Sequence, residues 1–230
     1  MPEKFILILK QNYYNLNIKP SIKVLIFDFD GVIVDSNHIK DKAFKTIFKE
    51  YPEHYQNLMN YHFKNVSKSR VFKFDYLLKL INKENDYKLK NELMKKFSTI
   101  TIDLMKSVPF VNGFKKLVEK FKDLPLYLIS VTPIEDLVII LNNLSISNIF
   151  KKTYGCPPWN KISAINEILI FEKIKPNEAI MIGDSIGDHI ASKKTKINFI
   201  GRYSGLPFDK PSPKIFKDLN SISKYLTRKI

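Results

Sequence analysis

The sequence contains a single cysteine and no long apolar segment. Cys156 has no second cysteine with which to form an internal disulfide, which fits a reducing compartment. The longest early apolar run, residues 5–9, is too short for a secretory leader, and no small-residue cleavage site follows it. No segment approaches the roughly 20 apolar residues that span a bilayer. We therefore expect a cytoplasmic protein without a membrane partner.

Acidic residues are scarce relative to basic ones. The chain has 23 Asp and Glu against 38 Lys and Arg, which gives a formal net charge of +15. Such a charge is compatible with nucleic-acid binding. The lysines, however, are spread over many segments instead of forming one arm, and abundant Lys, Asn and Ile are also typical of an AT-rich genome. A positive surface attracts small phosphorylated substrates as well, so the composition does not favour a nucleic-acid partner.

Glycine is absent between residues 36 and 107, and proline occurs there only as Pro52. Apolar residues recur in this segment at helical spacing, as Ala43, Phe44, Ile47 and Phe48 do. The pattern predicts an all-helical bundle with few tight turns.

Outside this segment, short β-prone runs alternate with helical patterns. Alternation of this kind predicts an α/β fold, with a doubly wound, mostly parallel sheet that has helices on both faces. We expect an N-terminal lead-in over residues 1–22, a Rossmann-like core over residues 23–35 and 108–230, and an inserted cap over residues 36–107. The predicted core strands are residues 24–27, 126–130, 150–154, 179–182 and 198–200, and the predicted core helices are residues 133–144, 162–171, 188–194 and 215–226.

Polar residues follow the ends of the predicted strands. The active crevice of a doubly wound sheet lies outside the carboxyl ends of its strands, so these side chains are expected to meet. They are Asp28 and Asp30 after the first strand, Ser130 and Thr132 after the second, Lys161 after the third, and Asp184 and Asp188 after the fourth.

The carboxylates of this set favour a metal site. Asp28, Asp30, Asp184 and Asp188 would repel one another and raise one another's pKa if nothing compensated them. A hard divalent cation relieves the repulsion, and Mg²⁺ is typically bound by one or two carboxylates together with a substrate phosphate. We therefore expect Mg²⁺ at these four residues and phosphoryl transfer as the chemistry.

The sequence resembles the haloacid dehalogenase (HAD) superfamily over about residues 23–226. Residues 28–32 (DFDGV) resemble the first motif of that family, and residues 128–133 (LISVTP) resemble the second. Lys161 is similar to the third-motif lysine, and residues 183–188 (GDSIGD) resemble the fourth, acidic motif. The helical insert matches the cap that many small-molecule phosphatases of the family carry. The resemblance implies a phosphoric monoester hydrolase of the phosphoglycolate phosphatase and β-phosphoglucomutase subgroup.

The resemblance also implies roles for the acidic residues. Asp28 would be the nucleophile and form an aspartyl-phosphate that water hydrolyses. Asp30 would protonate the leaving oxygen, later deprotonate the water, and bind Mg²⁺ through its backbone carbonyl. Asp184 would bind the metal directly. Asp188 would support it, and could also interact with a helix dipole. An acid at position 30 indicates phosphate esters instead of carbon–halogen bonds.

Phosphate binding is the role that the resemblance implies for Ser130, and Lys161 would offset charge on the nucleophile and the phosphate. Thr132, two residues further on, is a second candidate for phosphate binding, and either hydroxyl could instead cap the helix predicted near residue 133. Lys151 and Lys152 are alternative lysines for the third motif.

Substrate specificity is expected to come from the cap, whose most basic stretch is residues 65–73. Arg70 would reach a substrate phosphate or sugar hydroxyl, because a guanidinium group suits bidentate contacts with oxyanions. Lys73 and His38 are further candidates for substrate contact. Solvated basic residues at a helix N-terminus explain the stretch equally well.

Three functions stay open at this point. The first is a phosphatase acting on a small phosphorylated metabolite, such as a sugar phosphate or phosphoglycolate. The second is a β-phosphoglucomutase-like phosphomutase, which must keep water away from the aspartyl-phosphate. The third is a basic, non-enzymatic nucleic-acid-binding module, which the full set of motif residues disfavours. The sequence carries no indication of an oligomeric state.

Overall fold

The computed structural model describes residues 21–66, 68–210 and 212–228. Its core is a six-stranded sheet in the order β3-β2-β1-β4-β5-β6, and all neighbouring strands are parallel. The expected lead-in lies, except for residues 21 and 22, outside the described residues. The strands are β1 (Val24–Phe27), β2 (Leu126–Ile129), β3 (Lys152–Tyr154), β4 (Ala179–Gly183), β5 (Asn198–Arg202) and β6 (Ile215–Phe216).

Strand β1 is buried on both faces of the sheet. Successive side chains of a strand point in opposite directions, so its residues belong to two different hydrophobic clusters. Leu25 and Phe27 belong to one hydrophobic cluster, whereas Val24 and Ile26 belong to another. Helices therefore cover both faces of the sheet, as a continuous apolar strand requires. The α/β fold class predicted from the sequence is confirmed.

Nine α-helices lie in the described part of the chain. None of them is long and apolar enough to cross a bilayer. They are α1 (Asn37–Phe48), α2 (Tyr55–Lys64), α3 (Arg70–Leu80), α4 (Tyr87–Met105), α5 (Phe114–Lys120), α6 (Ile134–Asn143), α7 (Lys161–Phe171), α8 (Ile186–Thr195) and α9 (Leu219–Leu226).

Helices α1 to α4 pack around a hydrophobic cluster of their own. The Phe44 ring lies at its centre, with ring-centre distances of 4.5 Å to Phe97 and 5.7 Å to Phe74. All three rings are at most 5% exposed. A separate aromatic core explains how this part of the chain keeps its shape above the sheet.

The prediction of one helix over residues 215–226 is wrong at its start. Ile215 and Phe216 form the edge strand β6, in register with Gly201 and Arg202 of β5. Asp218 then accepts a hydrogen bond from the Ser221 backbone N–H and caps α9. A two-residue edge strand has no periodicity of its own. Its apolar residues were therefore counted as part of the helical spacing of the residues that follow.

The strand order places a topological switch point at β1. The chain adds β2 and β3 on one side of β1 and β4, β5 and β6 on the other. Connections therefore leave in opposite directions at the carboxyl ends of β1 and β4, which opens a crevice there. Asp28 follows β1 and Asp184 follows β4, so both acids lie at this crevice.

Candidate active site

The loop after β1 is fixed by backbone contacts. The Asp28 N–H donates to the Ile182 carbonyl at 2.9 Å, which continues the pairing of β1 with β4. Gly31 has a φ of 72°, a conformation that side chains disfavour, and its N–H donates to the Val34 carbonyl at 2.8 Å. Arg202 donates to the Gly31 carbonyl at 3.0 Å. The first motif is thereby fixed at the carboxyl end of the central strand β1.

Lys161 connects two of the acids. Its Nζ lies 2.9 Å from Asp28 Oδ1 and also forms an ion pair with Asp188 Oδ1. Burial alone would lower the pKa of Lys161, but the Asp188 and Asp28 carboxylates outweigh burial and raise it. This lysine is therefore charged throughout the neutral range.

The alternative lysines pair elsewhere. Lys151 and Lys152 form ion pairs with Glu172 at 2.8 Å and with Glu167 at 2.7 Å, respectively. Both lysine side chains are about half exposed, at 45% and 50%. Of these three lysines, Lys161 is the one that contacts Asp28.

Asp188 has two structural tasks. Its Oδ1 pairs with Lys161, while its Oδ2 accepts hydrogen bonds from the Ser185 N–H at 3.1 Å and the Ser185 hydroxyl at 2.5 Å. The second set is a capping box at the start of α8. Gly183 makes room for the carboxylate, because a Cβ there would lie 2.4 Å from Asp188 Cβ.

The acids at the switch point could hold a divalent cation. One oxygen each from Asp28, Asp184 and Asp188 lie within 4.8 Å of one another, and all three residues are buried. Burial, followed by the Asp188 carboxylate, raises the pKa of Asp28, and Lys161 offsets only part of this effect. A cation of charge two would relieve the repulsion, and a donor set made only of oxygens fits Mg²⁺.

The Asp30 side chain is outside that trio and has its own partners. Ser36 Oγ donates to Asp30 Oδ1 at 2.7 Å, and Lys40 Nζ lies 2.5 Å from Oδ2. The Thr132 hydroxyl donates to Oδ2 at 3.3 Å. These contacts fix the orientation of the carboxyl group.

Lys40 is a site residue that the sequence analysis missed. Ser36, at the N-cap of α1, and Lys40 are four residues apart, which places both side chains on one face of the helix. That face lies against Asp30. A polar pair at this spacing directly after the first motif was the signal that could have revealed it.

The second motif contributes two hydroxyl groups with different partners. Ser130 is 3% exposed, and its Oγ accepts a hydrogen bond from the Thr132 N–H at 3.0 Å. Thr132 directs its own hydroxyl to Asp30 and does not cap α6, whose N-cap position is Pro133. The expectation of a Thr132 N-cap is therefore wrong, because Asp30 competes for that hydroxyl.

A cavity of about 150 Å³ separates the crevice from the cap. The residues that line it come from the motif loops, from α1 to α3 and from the loop after β5. They are Asp28, Asp30, Lys40, Asp41, His62, Phe63, Val66, Lys73, Val131, Lys161, Asp184, Ser185 and Leu206.

The three cap candidates lie in different surroundings. Arg70 forms an ion pair with Asp136 of α6 at 2.6 Å, and both side chains are only 11% exposed. Lys73 lines the main cavity and also a smaller one of about 40 Å³, which Arg70 lines as well. His38 is exposed and does not line either cavity in the described part of the structure.

Residues 25–202 match the family described as haloacid dehalogenase-like hydrolase. This chain belongs to the haloacid dehalogenase-like hydrolase family. The family membership expected from the four motifs is confirmed, as is the expectation of an enzyme. The match also favours the enzymatic hypotheses over the nucleic-acid-binding module. Among curated proteins, no significant match exists.

Solved structures with the same fold come from several bacteria. A predicted phosphoglycolate phosphatase from Haemophilus somnus is 18% identical, with a TM-score of 0.72 over 89% of this chain and 97% of that chain. β-Phosphoglucomutase from Clostridium difficile is 19% identical, with a TM-score of 0.71 over 90% and 96%. CbbY from Rhodobacter sphaeroides, solved in complex with phosphate, is 13% identical, with a TM-score of 0.69 over 87% and 96%.

Proposed function

We propose that this hydrolase is a Mg²⁺-dependent phosphatase that hydrolyses a small phosphorylated metabolite through an aspartyl-phosphate on Asp28. One observation carries the proposal. The Asp28 carboxylate lies 2.9 Å from the buried Lys161 ammonium group, within a trio of buried acids at the switch point of the sheet. Lys161 offsets part of the negative charge around this carboxylate, and a divalent cation at the trio would offset more of it, so the group suits attack on phosphorus.

The proposed reaction has two displacements. In the first, an Asp28 oxygen bonds to phosphorus, the ester P–O bond breaks, and Asp30 gives its proton to the leaving oxygen. In the second, Asp30 takes a proton from water, the water oxygen bonds to phosphorus, and the bond to Asp28 breaks. The contacts of Asp30 with Ser36, Lys40 and Thr132 support an acid–base role because they fix its direction.

The remaining charges stabilise the phosphoryl group. Lys161 would neutralise phosphoryl oxygens next to Asp28, and Ser130 would add a hydrogen-bond donor if its hydroxyl turned towards them. Asp28, Asp184, Asp188 and the Asp30 carbonyl would hold Mg²⁺. When bound, the cation supplies positive charge for the phosphoryl oxygens.

The size of the cavity supports a small substrate. Its volume of about 150 Å³ is below the roughly 300–1,000 Å³ that is usual for drug-sized ligands. The structural relatives named as phosphoglycolate phosphatase and β-phosphoglucomutase make a sugar phosphate or a phosphoglycolate-like ester the natural first candidates.

Phosphate release from a panel of phosphorylated metabolites tests this proposal. We expect release by the wild type with Mg²⁺, none after chelation, and none from Asp28→Asn. Asp103→Asn is a matched control, because this cap carboxylate is 72% exposed and is not among the residues that line the cavity in the described structure. Release that survives in Asp28→Asn would refute the covalent mechanism. An isomeric sugar phosphate in place of free phosphate would assign the enzyme as a phosphomutase.

A further inference from the structure

Lys73 is a buried cation in the first turn of α3. The residue is 3% exposed, and its Nζ lies 4.8 Å from the centre of the Phe44 ring. Among the residues that the structure describes, no carboxylate forms an ion pair with it. Asp41 attracts it only from a distance and is itself hydrogen-bonded to His62 at 2.7 Å. Lys73 therefore lacks the anion that a buried ammonium group normally requires.

The surroundings of Lys73 disfavour its charge. Burial, followed by repulsion from Lys40, lowers the pKa of Lys73 from 10.5 to about 7, and Asp41 offsets part of this effect. Lys40 forms its own ion pair with Asp30, with its Nζ 2.5 Å from Asp30 Oδ2. An anion bound beside Lys73 would stabilise the charged form, so the site has a built-in affinity for negative charge.

Lys73 lies in the cavity where the substrate would bind, so its affinity for anions would act on the substrate. Lys73 and Asp28 line the same cavity, Lys73 from the cap and Asp28 from the sheet. A phosphoryl group placed against Asp28 and Lys161 leaves the rest of the ester on the cap side. Arg70 is not available there, because Asp136 already neutralises it at 2.6 Å.

We propose that Lys73 binds a second anionic group on the leaving side of the substrate, so that the enzyme selects phosphoesters carrying a carboxylate or a second phosphate. The inference rests on the proposed phosphatase function and deepens it. It assigns substrate selection to Lys73 in place of Arg70. Neutral polyol phosphates are then the poorer substrates.

Three esters with the same three-carbon frame test the inference. Glycerol phosphate has a neutral tail, phosphoglycerate a carboxylate tail and glycerol bisphosphate a phosphate tail. A hydrogen bond to a charged group predicts that kcat/KM for at least one charged-tail ester exceeds that for glycerol phosphate by roughly tenfold to a hundredfold. The larger of the two preferences identifies the second anion.

Variants of Lys73 separate a binding role from a structural one. In Lys73→Met the ratio of kcat/KM between charged-tail and neutral-tail esters is expected to fall towards unity, and Lys73→Arg is expected to restore part of it. Lys79→Met is the matched control, because Lys79 is exposed on the same helix. A wild type without preference, or a Lys73→Met enzyme that slows on all three esters by one factor, would overturn the inference while leaving the phosphatase function intact.

Calorimetric binding of the same esters to Asp28→Asn, with and without Lys73→Met, keeps the test independent of turnover. If the wild type released phosphate from none of the esters, the proposed function would lose support, and the ratio of dissociation constants would still decide the role of Lys73. Charged-tail esters that bind no better than glycerol phosphate would refute that role.

Discussion

Replacing Lys73 by methionine is expected to stabilise the folded protein, and to do so most at neutral and lower pH. The pKa of Lys73 is about 7 in the folded protein, against 10.5 for an ordinary lysine. Between these two values the unfolded chain binds more protons than the folded one. The free energy of unfolding of the wild type therefore rises with pH across this window, and the cost of the buried charge is fully present below it.

The magnitude follows from the difference of the two pKa values. Each pKa unit corresponds to about 1.4 kcal/mol, so the buried lysine costs about 4 kcal/mol at pH 7. Raising the pH from 7 to 9 recovers about 2 kcal/mol of this cost. Methionine fills a similar volume without a charge, so the variant keeps the packing against Phe44 and has no such titration.

Urea unfolding at pH 7 and pH 9 measures this effect. The stability advantage of Lys73→Met over the wild type is expected to shrink by about 2 kcal/mol between the two values. Lys79→Met, on the exposed face of α3, is expected to show no pH-dependent difference. An advantage for Lys73→Met that stays constant with pH would refute the reasoning, because it would mean that Lys73 is as fully charged in the folded protein as in the unfolded chain.

Three further predictions concern contacts around the site. In a steady-state assay, Lys40→Met is expected to lower kcat on the order of tenfold to a hundredfold with a smaller change in KM, because Asp30 loses its contact with Lys40 at 2.5 Å. Lys45→Met is the control, because Lys45 is exposed on the same helix. Gly183→Ala is expected to destabilise the protein by about 1–3 kcal/mol in urea unfolding, since its Cβ would collide with Asp188, and an unchanged midpoint would contradict this. Arg70→Met alone is expected to cost about 3–5 kcal/mol, and the double variant with Asp136→Leu less than that; strict additivity in the cycle would show that the buried pair is not coupled.

The architecture of the core could be predicted because its determinants are local. Continuous apolar runs such as residues 24–27 and 179–182 indicate buried parallel strands, and the polar residues behind them mark the crevice. Both runs are strands in the structure. The edge strand at Ile215 and Phe216 could not be predicted, since two residues have no periodicity of their own and only their pairing with β5 defines them as a strand.

The cap side of the site was harder to predict because its contacts are non-local. Arg70 and Lys73 are equivalent basic residues in the sequence, three positions apart on one helix. In the folded chain α6 packs against α4 of the cap, and its Asp136 forms an ion pair with Arg70, whereas Lys73 has no carboxylate partner in the described structure. Lys40 was missed for the same reason, because its role depends on how α1 lies against the loop after β1.

Trapping the covalent intermediate tests the central claim most directly. Acid quenching of the wild type during turnover, followed by mass spectrometry of peptides, is expected to find a phosphoryl group on Asp28, and none on the Asp28→Asn variant. The account would be contradicted if neither the wild type nor the Asp30→Asn variant, in which hydrolysis of the intermediate is expected to be slower, gave a phosphorylated peptide during turnover. A phosphoryl group on a different residue would also contradict it.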